Sequence, residues 1–223
     1  MHVCVEDRVD VVPGRLDDLY AALTAAAPRI DATGARLVGA FHTAGATGRW
    51  NEMWVYWEFD DMAHFGRVMA EHEGPGSLCD LADPDWTLRR GGSSVTMYPT
   101  VHAPMRDALL ASGTRGTVFL HEYIHPHPGQ REAFVAHYVD NYLDATRKAG
   151  RELVGIWNLQ RSANDVLILL ALADWAAQAH AVGAKPDAYA ERPWRVSAPQ
   201  VRSDYDLRML VAGPAAVNPF RPV

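Results

Sequence analysis

The fold is indicated by two short stretches that repeat each other, GARLVGAF (34–41) and GRELVGIW (150–157). The stretches that follow them also match, NEMWVYWEFDDMAHF (51–65) with NDVLILLALADWAAQ (164–178), and each keeps an asparagine and an aspartate in place. A Pro-Gly pair precedes both copies, at 13–14 and at 128–129. An ordered series of matches with similar spacing is not expected by chance, so the chain is interpreted as a tandem duplication of one unit.

Both copies predict the same order of secondary structure. A strand ends at the Pro-Gly turn, an amphipathic helix follows at 15–27 or 130–148, and Gly34 or Gly150 suits the left-handed residue that ends a helix. Two strands, a second helix and a final strand come next; the strands are expected at 35–43, 51–59 and near 93–99, and at 151–160, 164–172 and near 203–210. This β-α-β-β-α-β order is ferredoxin-like, an α+β class. The predicted units are 1–100 and 118–211, with a linker at 101–117 and a tail at 212–223.

The totals fit an ordinary globular protein. The chain has 223 residues, 48% of them hydrophobic and 22% charged, which suits one large domain or two small ones. The net charge of −6 disfavours a nucleic-acid partner. The sequence has no long apolar run and no evident secretory leader, so we expect no membrane span and a cytoplasmic location. Cys4 and Cys79 are too few for a disulfide framework or a thiolate cage.

Alternation along the strands separates a helix-facing side from a second side, because successive side chains point to opposite faces. In VFLHEYIHPHPG (118–129), the helix-facing set is apolar apart from Glu122. The second side carries Phe119, His121, Tyr123, His125 and His127 in this copy, and Cys4, Glu6, Arg8 and Asp10 with Glu52, Trp54, Tyr56 and Glu58 in the first. Two such sheets in one chain can pack face to face, so these side chains are expected to line a lumen between the sheets.

The stretches LVGAFHTAGATGRWNEMWVYWEFDDM (37–62), ELVGIW (152–157) and NDVLILLALADW (164–175) resemble the NIPSNAP-type pattern. That pattern has a strand with LVG, a turn, an asparagine, an aromatic strand and an aspartate that opens a helix; YPTVHAP (98–104) resembles the Pro-rich end of the domain. The resemblance covers nearly the whole chain, twice, and implies a dimeric α+β barrel assembled from tandem halves. The wider superfamily includes cofactor-free monooxygenases, polyketide cyclases, muconolactone isomerases, aldoxime dehydratases and haem enzymes, so the fold leaves the activity open.

Metal and haem sites are the less favoured interpretations of the lumen. His125 and His127 share a strand face about 7 Å apart, whereas His121 lies about 13 Å from His125 along an extended strand. A third ligand would have to come from elsewhere, such as Glu6 or Glu52. The acidic wall formed by Glu6, Asp10, Glu52 and Glu58 suits a porphyrin poorly. Neither a metal nor another cofactor is therefore predicted.

Acid–base chemistry fits the lumen better, since histidine exchanges protons near neutrality and a facing carboxylate can orient its ring. His121 is the predicted general base or acid, with Tyr123 and Glu6 as supports and Arg8 holding an anionic group. The predicted substrate-binding residues are Trp54, Tyr56, Glu52, Glu58, His42, Phe119 and His125, of which His42 lies on a strand (35–43) whose facing the pattern leaves open. The alternative is that the acids and Arg8 form a buried ion-pair network that only joins the two sheets.

The lumen set predicts a cofactor-independent enzyme that acts on a small aromatic or polyketide-like molecule. The expected reaction is an isomerisation, cyclisation, dehydration or lyase step driven by proton transfer. A cofactor-free monooxygenase, a haem or metal enzyme and a non-catalytic binding or assembly protein remain alternatives. The predicted partners are the small-molecule substrate and a second copy in a homodimer.

Overall fold

The computed structural model describes residues 1–45, 51–71, 77–183 and 192–222. Within these ranges the strands are β1 Val3–Val11, β2 Arg36–Thr43, β3 Glu52–Phe59, β4 Arg89–Pro99, β5 Val118–Pro126, β6 Arg151–Leu159, β7 Val166–Leu172 and β8 Arg202–Ala212. The helices are α1 Leu16–Ala32, α2 Met62–Glu71, α3 Arg106–Ala111, α4 Arg131–Asn141, α5 Leu143–Lys148, α6 Trp175–Gly183 and α7 Arg192–Ser197. Two 3-10 turns lie at Leu78–Leu81 and Ala198–Gln200.

The strands close into one barrel in the order β1-β3-β2-β8-β5-β7-β6-β4, with antiparallel pairing throughout. Each half contributes a four-stranded sheet with the same internal order, β4-β1-β3-β2 and β8-β5-β7-β6. The edges of the two sheets join through the pairs β2–β8 and β4–β6. The predicted α+β class, with two ferredoxin-like units that form a barrel, is confirmed. A single chain forms the whole barrel, and in the described residues each sheet edge is paired with a strand of the other half.

The long helices pack on the outside of the barrel. In the first half, Leu19, Leu23 and Ile30 of α1 join the outward valines of β1 and β3 in one hydrophobic core. The buried side chain of Ile30 anchors the last turn, so α1 continues past the predicted end at residue 27 and through Pro28. In the second half, the predicted helix at 130–148 is divided at Tyr142, whose ring stacks on Trp194 with 5.1 Å between centroids.

Glycines at equivalent positions shape both halves. Gly34 and Gly150 have φ of 82° and 76°, the left-handed conformation expected after α1 and α5. The pairing register then shifts between Leu37 and Gly39 in β2, and at the equivalent place in β6. A Cβ at Gly155 would lie 2.4 Å from the Trp157 ring, so glycine leaves the space that this lumen aromatic occupies.

The two ends of the barrel differ. The end at which β1 and β5 begin, called the floor, is covered by α3 and by the C-terminal tail. Leu109 of α3 and Phe220 of the tail belong to the lumen core, and the Phe220 ring lies 6.3 Å from that of Phe119. The end at which β1 and β5 finish, called the mouth, carries Arg8 and His125, which are partly exposed. None of the described helices is long and apolar enough to cross a membrane.

Candidate active site

Glu6 and His121 meet at the centre of the lumen. The two residues hold equivalent places in the repeat, because each lies on the first strand of its half at the same distance before the Pro-Gly turn. The pseudo-twofold relation between the halves therefore brings them face to face, and His121 Nε2 lies 2.7 Å from Glu6 Oε2. Both side chains are buried, with at most 1% exposed, so water does not screen the contact.

Two phenol groups complete the hydrogen bonds of the Glu6 carboxylate. Tyr56 donates to Oε2 at 2.6 Å, and Tyr123 donates to Oε1. Burial by itself would raise the pKa of Glu6, but the charge of His121 and the hydrogen bonds from His121, Tyr123 and Tyr56 outweigh burial and lower it. Glu6 is therefore a carboxylate held by three donors. Burial and the neighbouring Glu6 charge raise the pKa of both phenols, which keeps them neutral donors.

The second ring nitrogen of His121 makes no hydrogen bond within the described part of the chain. Nδ1 is buried and has no hydrogen-bond partner among the described residues. In the neutral ring, Nε2 carries the proton that an ionised Glu6 accepts, so the lone pair lies on Nδ1. The ring is packed between Trp54 and Tyr123, each with its centroid 4.6 Å away. The pair thus has the form of a general base whose orientation is set by a carboxylate.

Two arginines that the sequence analysis did not select lie toward the mouth. The Arg208 guanidinium is 5.2 Å from the centre of the Trp54 ring and 5.7 Å from that of Tyr123. Arg161 lies 4.8 Å from the Tyr123 ring on a turn after β6. Arg208 also contacts Asp206 at 2.5 Å, and its Nη1 is buried without a partner in the described part of the chain. Arg208 pairs with His121 in the β5–β8 register, so only the strand order could have revealed it.

Arg8, Glu52 and Glu58 lie apart from the Glu6–His121 pair. At the mouth, Arg8 Nε is 3.8 Å from Glu52 Oε1, and the Trp54 indole donates to Thr43 at 2.9 Å. Glu58 lies at the floor, where Arg36 Nε is 2.9 Å from Oε1. The three charged residues line the lumen as alternation predicts, but they are spread along it.

The remaining predicted residues have different outcomes. Phe119 is in the lumen, 4.7 Å from Phe41. The placement of His42 in the lumen is wrong: the bulge in β2 turns Phe41 inward, so His42 faces α1, where the Tyr20 hydroxyl lies 3.1 Å from its Nδ1.

The two rim histidines do not converge. His125 Nδ1 is 3.0 Å from Asp165, whereas His127 Nε2 is 2.9 Å from the carbonyl of Pro199. Each ring therefore has its own partner, and the contacts of this pair are not those of ligands to one ion. His125 stays a predicted substrate contact at the mouth.

Comparison with known proteins identifies the architecture. No protein-family model matches the chain, and no curated protein is similar in sequence. A candidate monooxygenase from Fusobacterium nucleatum subsp. nucleatum has a TM-score of 0.63 and 10% identity, covering 95% of this chain and 92% of the other. A candidate monooxygenase from Lactobacillus acidophilus NCFM has a TM-score of 0.60 and 13% identity, covering 94% and 93%. An anthrone oxidase-like protein has a TM-score of 0.60 and 10% identity, covering 96% and 92%. The chain has the dimeric α+β barrel fold of these proteins; at such identities the likeness concerns the fold alone.

Proposed function

We propose that the chain is an enzyme that removes a proton from a small aromatic or polyketide-like molecule in the barrel lumen, using His121 as the base. The observation that carries the proposal is the difference between the two ring nitrogens of the buried His121 side chain. Nε2 faces Glu6 at 2.7 Å, and Nδ1 has no partner among the described residues. A residue that only joined two sheets would gain stability by using both nitrogens, because an unmade buried hydrogen bond is costly.

Glu6 supports this role in two ways. It fixes the ring orientation, and its negative charge stabilises the imidazolium that forms when Nδ1 takes a proton. The hydrogen bonds that Glu6 accepts from His121, Tyr123 and Tyr56 favour its ionised form against the opposing effect of burial. Tyr56 and Tyr123 hold the carboxylate and are positioning residues in this proposal.

The anion left after proton removal needs positive charge nearby. We assign this role to Arg208 rather than to Arg8, since Arg208 pairs with His121 in the β5–β8 register, whereas Arg8 lies at the mouth, apart from the Glu6–His121 pair. Arg208 lies over the rings of Trp54 and Tyr123, which also flank His121. A planar substrate placed against these rings would have the base on one side and a guanidinium toward the mouth, and its enolate or phenolate oxygen could pair with that guanidinium.

The aromatic lining favours a ring-containing substrate. Phe41, Trp54, Phe119 and Trp157 belong to the lumen core. Flat apolar walls with few convergent polar groups are typical of sites for small organic molecules. Isomerisation, cyclisation, dehydration and lyase reactions all can begin with removal of an acidic C–H or O–H proton from such a molecule.

A cofactor-free monooxygenase is the second candidate, since two proteins of the same fold are named as candidate monooxygenases and a third is named for its likeness to anthrone oxidase. It would share the first step: the carbanion formed at His121 reacts with O₂. For an anthrone, the balanced outcome is anthraquinone and water from one anthrone and one O₂. The NIPSNAP-type assignment, the cytoplasmic location and a homodimer remain predictions from the sequence.

The test uses anthrone, a C–H acid with aromatic rings, as the probe. Deuterium uptake from solvent into its methylene group and oxygen consumption are followed with and without the protein. We expect wild type to accelerate exchange and His121→Asn to lose about 10²- to 10⁴-fold of that acceleration. His127→Asn, at the rim, is the matched control and should keep it.

The two candidates separate on oxygen. If deuterium exchange is accompanied by protein-dependent oxygen uptake and anthraquinone formation, the chain is the monooxygenase. If exchange occurs without oxygen uptake, the chain belongs to the isomerase, cyclase or lyase group. If neither anthrone nor a panel of enolisable aromatic ketones exchanges faster with the protein, or if folded His121→Asn is as active as wild type, the proposal is wrong.

A further inference from the structure

We propose that His2, Cys4 and Glu58 form a binding site for one divalent transition-metal ion, Zn²⁺ by the character of its ligands, at the floor of the barrel. One ligand atom from each of these residues lies within 4.8 Å of the other two. The site is separate from the Glu6–His121 pair and does not depend on the proposed reaction.

The strand geometry explains why these three side chains converge. His2 directly precedes β1 and Cys4 is two residues later, and this spacing puts both side chains on the face that points into the lumen. Glu58 pairs directly with Cys4 in the β1–β3 register. Cys4 and Glu58 are therefore held by the sheet itself, and His2 is the residue directly before it.

Each of the three candidate ligands has a donor atom with an electron pair that can bind a metal ion. His2 Nε2 is buried and has no hydrogen-bond partner among the described residues. The Cys4 thiol is free rather than in a disulfide. Glu58 accepts from Arg36 Nε at 2.9 Å through Oε1 and from the Arg106 backbone N–H at 2.9 Å through Oε2, which fixes the carboxylate and leaves a second lone pair on each oxygen.

Outer contacts of this kind are what metal ligands require, because hydrogen bonds to the ligands orient them. Metal binding would displace the proton of the Cys4 thiol.

The ligand set selects the class of ion. Imidazole nitrogen with thiolate sulfur favours Zn²⁺ and its close analogue Co²⁺, whereas Mg²⁺ and Ca²⁺ require oxygen ligands. A thiolate, a carboxylate and a neutral imidazole would balance the two positive charges of the ion. Three protein ligands leave one position of a tetrahedron for water or a small anion. On β1, Cys4 is two residues from Glu6, about 7 Å along the strand, so the ion would lie below the acid–base pair.

A bound ion would link the start of β1 to the end of β3. An ion that binds only the folded chain stabilises it in proportion to ln(1 + [metal]/Kd). We therefore expect the unfolding temperature to rise with added Zn²⁺ and to return to its starting value with a chelator.

The experiment is a Co²⁺ titration of the untagged full chain under reducing, chelator-free conditions. The expected result is one equivalent of bound Co²⁺ with a thiolate-to-cobalt charge-transfer band that Zn²⁺ abolishes. Cys4→Ser should remove the band and His2→Ala should weaken binding at least about tenfold. Cys79→Ser, which changes the other buried cysteine of the chain, should leave the charge-transfer band and the affinity for Co²⁺ unchanged.

His2 precedes β1, so His2→Ala tests the site even if Cys4→Ser fails to fold. Absence of the band in wild type overturns the proposal. A band that survives Cys4→Ser, or binding that His2→Ala leaves unaffected, overturns it as well.

Discussion

Replacing Glu6 by glutamine tests the physical basis of the candidate site. The change keeps the shape of the side chain but removes the charge, and it leaves an imidazole and two phenols facing an amide with one acceptor oxygen. Glu6 and His121 are 1% and 0% exposed, so the charge that is lost is fully desolvated. Removing one partner of such a buried pair costs about 3–5 kcal/mol.

The loss should be measurable by urea unfolding, followed by tryptophan fluorescence, because Trp54 lies against His121. In a domain of this size about 1 kcal/mol shifts the melting temperature by about 2–4 °C, so Glu6→Gln should lower it by about 6–20 °C. Glu152→Gln is the matched control: this residue of β6 is exposed, and the change should stay within about 0.5 kcal/mol of wild type.

A loss below about 1 kcal/mol in Glu6→Gln would refute the reasoning, because a desolvated carboxylate held by three donors could then not be present. Combining the change with His121→Asn provides a second check. If the two side chains touch as the structure shows, the double variant should be less destabilised than the sum of the single ones by about 0.5–3 kcal/mol. Strict additivity would mean that the contact is not made.

Three further outcomes are expected. Because the folded pKa of Glu6 lies below its unfolded value of about 4.3, its stabilisation is complete above that pH and is lost as the pH falls through the folded pKa; urea unfolding of wild type and Glu6→Gln across acid pH checks this. His121→Glu places two carboxylates across the lumen and raises one pKa, so its unfolding free energy should fall as pH rises above about 4.3; a pH-independent loss would contradict the contact. Gly92→Ala puts a Cβ 2.3 Å from the Arg8 carbonyl and should cost about 1–3 kcal/mol by thermal unfolding, whereas Gly91→Ala, with ordinary contact, should not.

The central contacts of the site were predictable because they depend on two simple regularities. The period of two along a strand puts Glu6, His121 and Tyr123 on the inner side. The repeat then aligns the first strand of each half, and two sheets packed face to face must bring those strands opposite each other. Neither step requires knowledge of side-chain contacts, so residue type and spacing were enough to predict that these residues face each other.

The rest depends on information that alternation does not contain. Arg208 reaches the site because β8 pairs with β5, and the closure of the barrel through β2–β8 fixes that edge. His42 was misplaced because one bulge reverses the facing of the strand beyond it. Asp7, on the helix side among valines, accepts from Ser77 at 2.7 Å, a partner 70 residues away along the chain. Sequence pattern alone gives no account of such long-range polar partners.

The duplication also explains how an acid and a base come to face each other at this point. If the two halves were identical chains related by a twofold axis, position 6 would lie against its own copy, and two carboxylates or two imidazoles at that distance would each disfavour the charged form of the other. Fusion into one chain removes that constraint, because the equivalent positions can change independently. Glu6 in one half and His121 in the other turn a self-repelling contact into an attractive one. The same fusion lets Tyr56 and Tyr123 both donate to the acid, and Nδ1 of the base is left without a protein partner in the described residues.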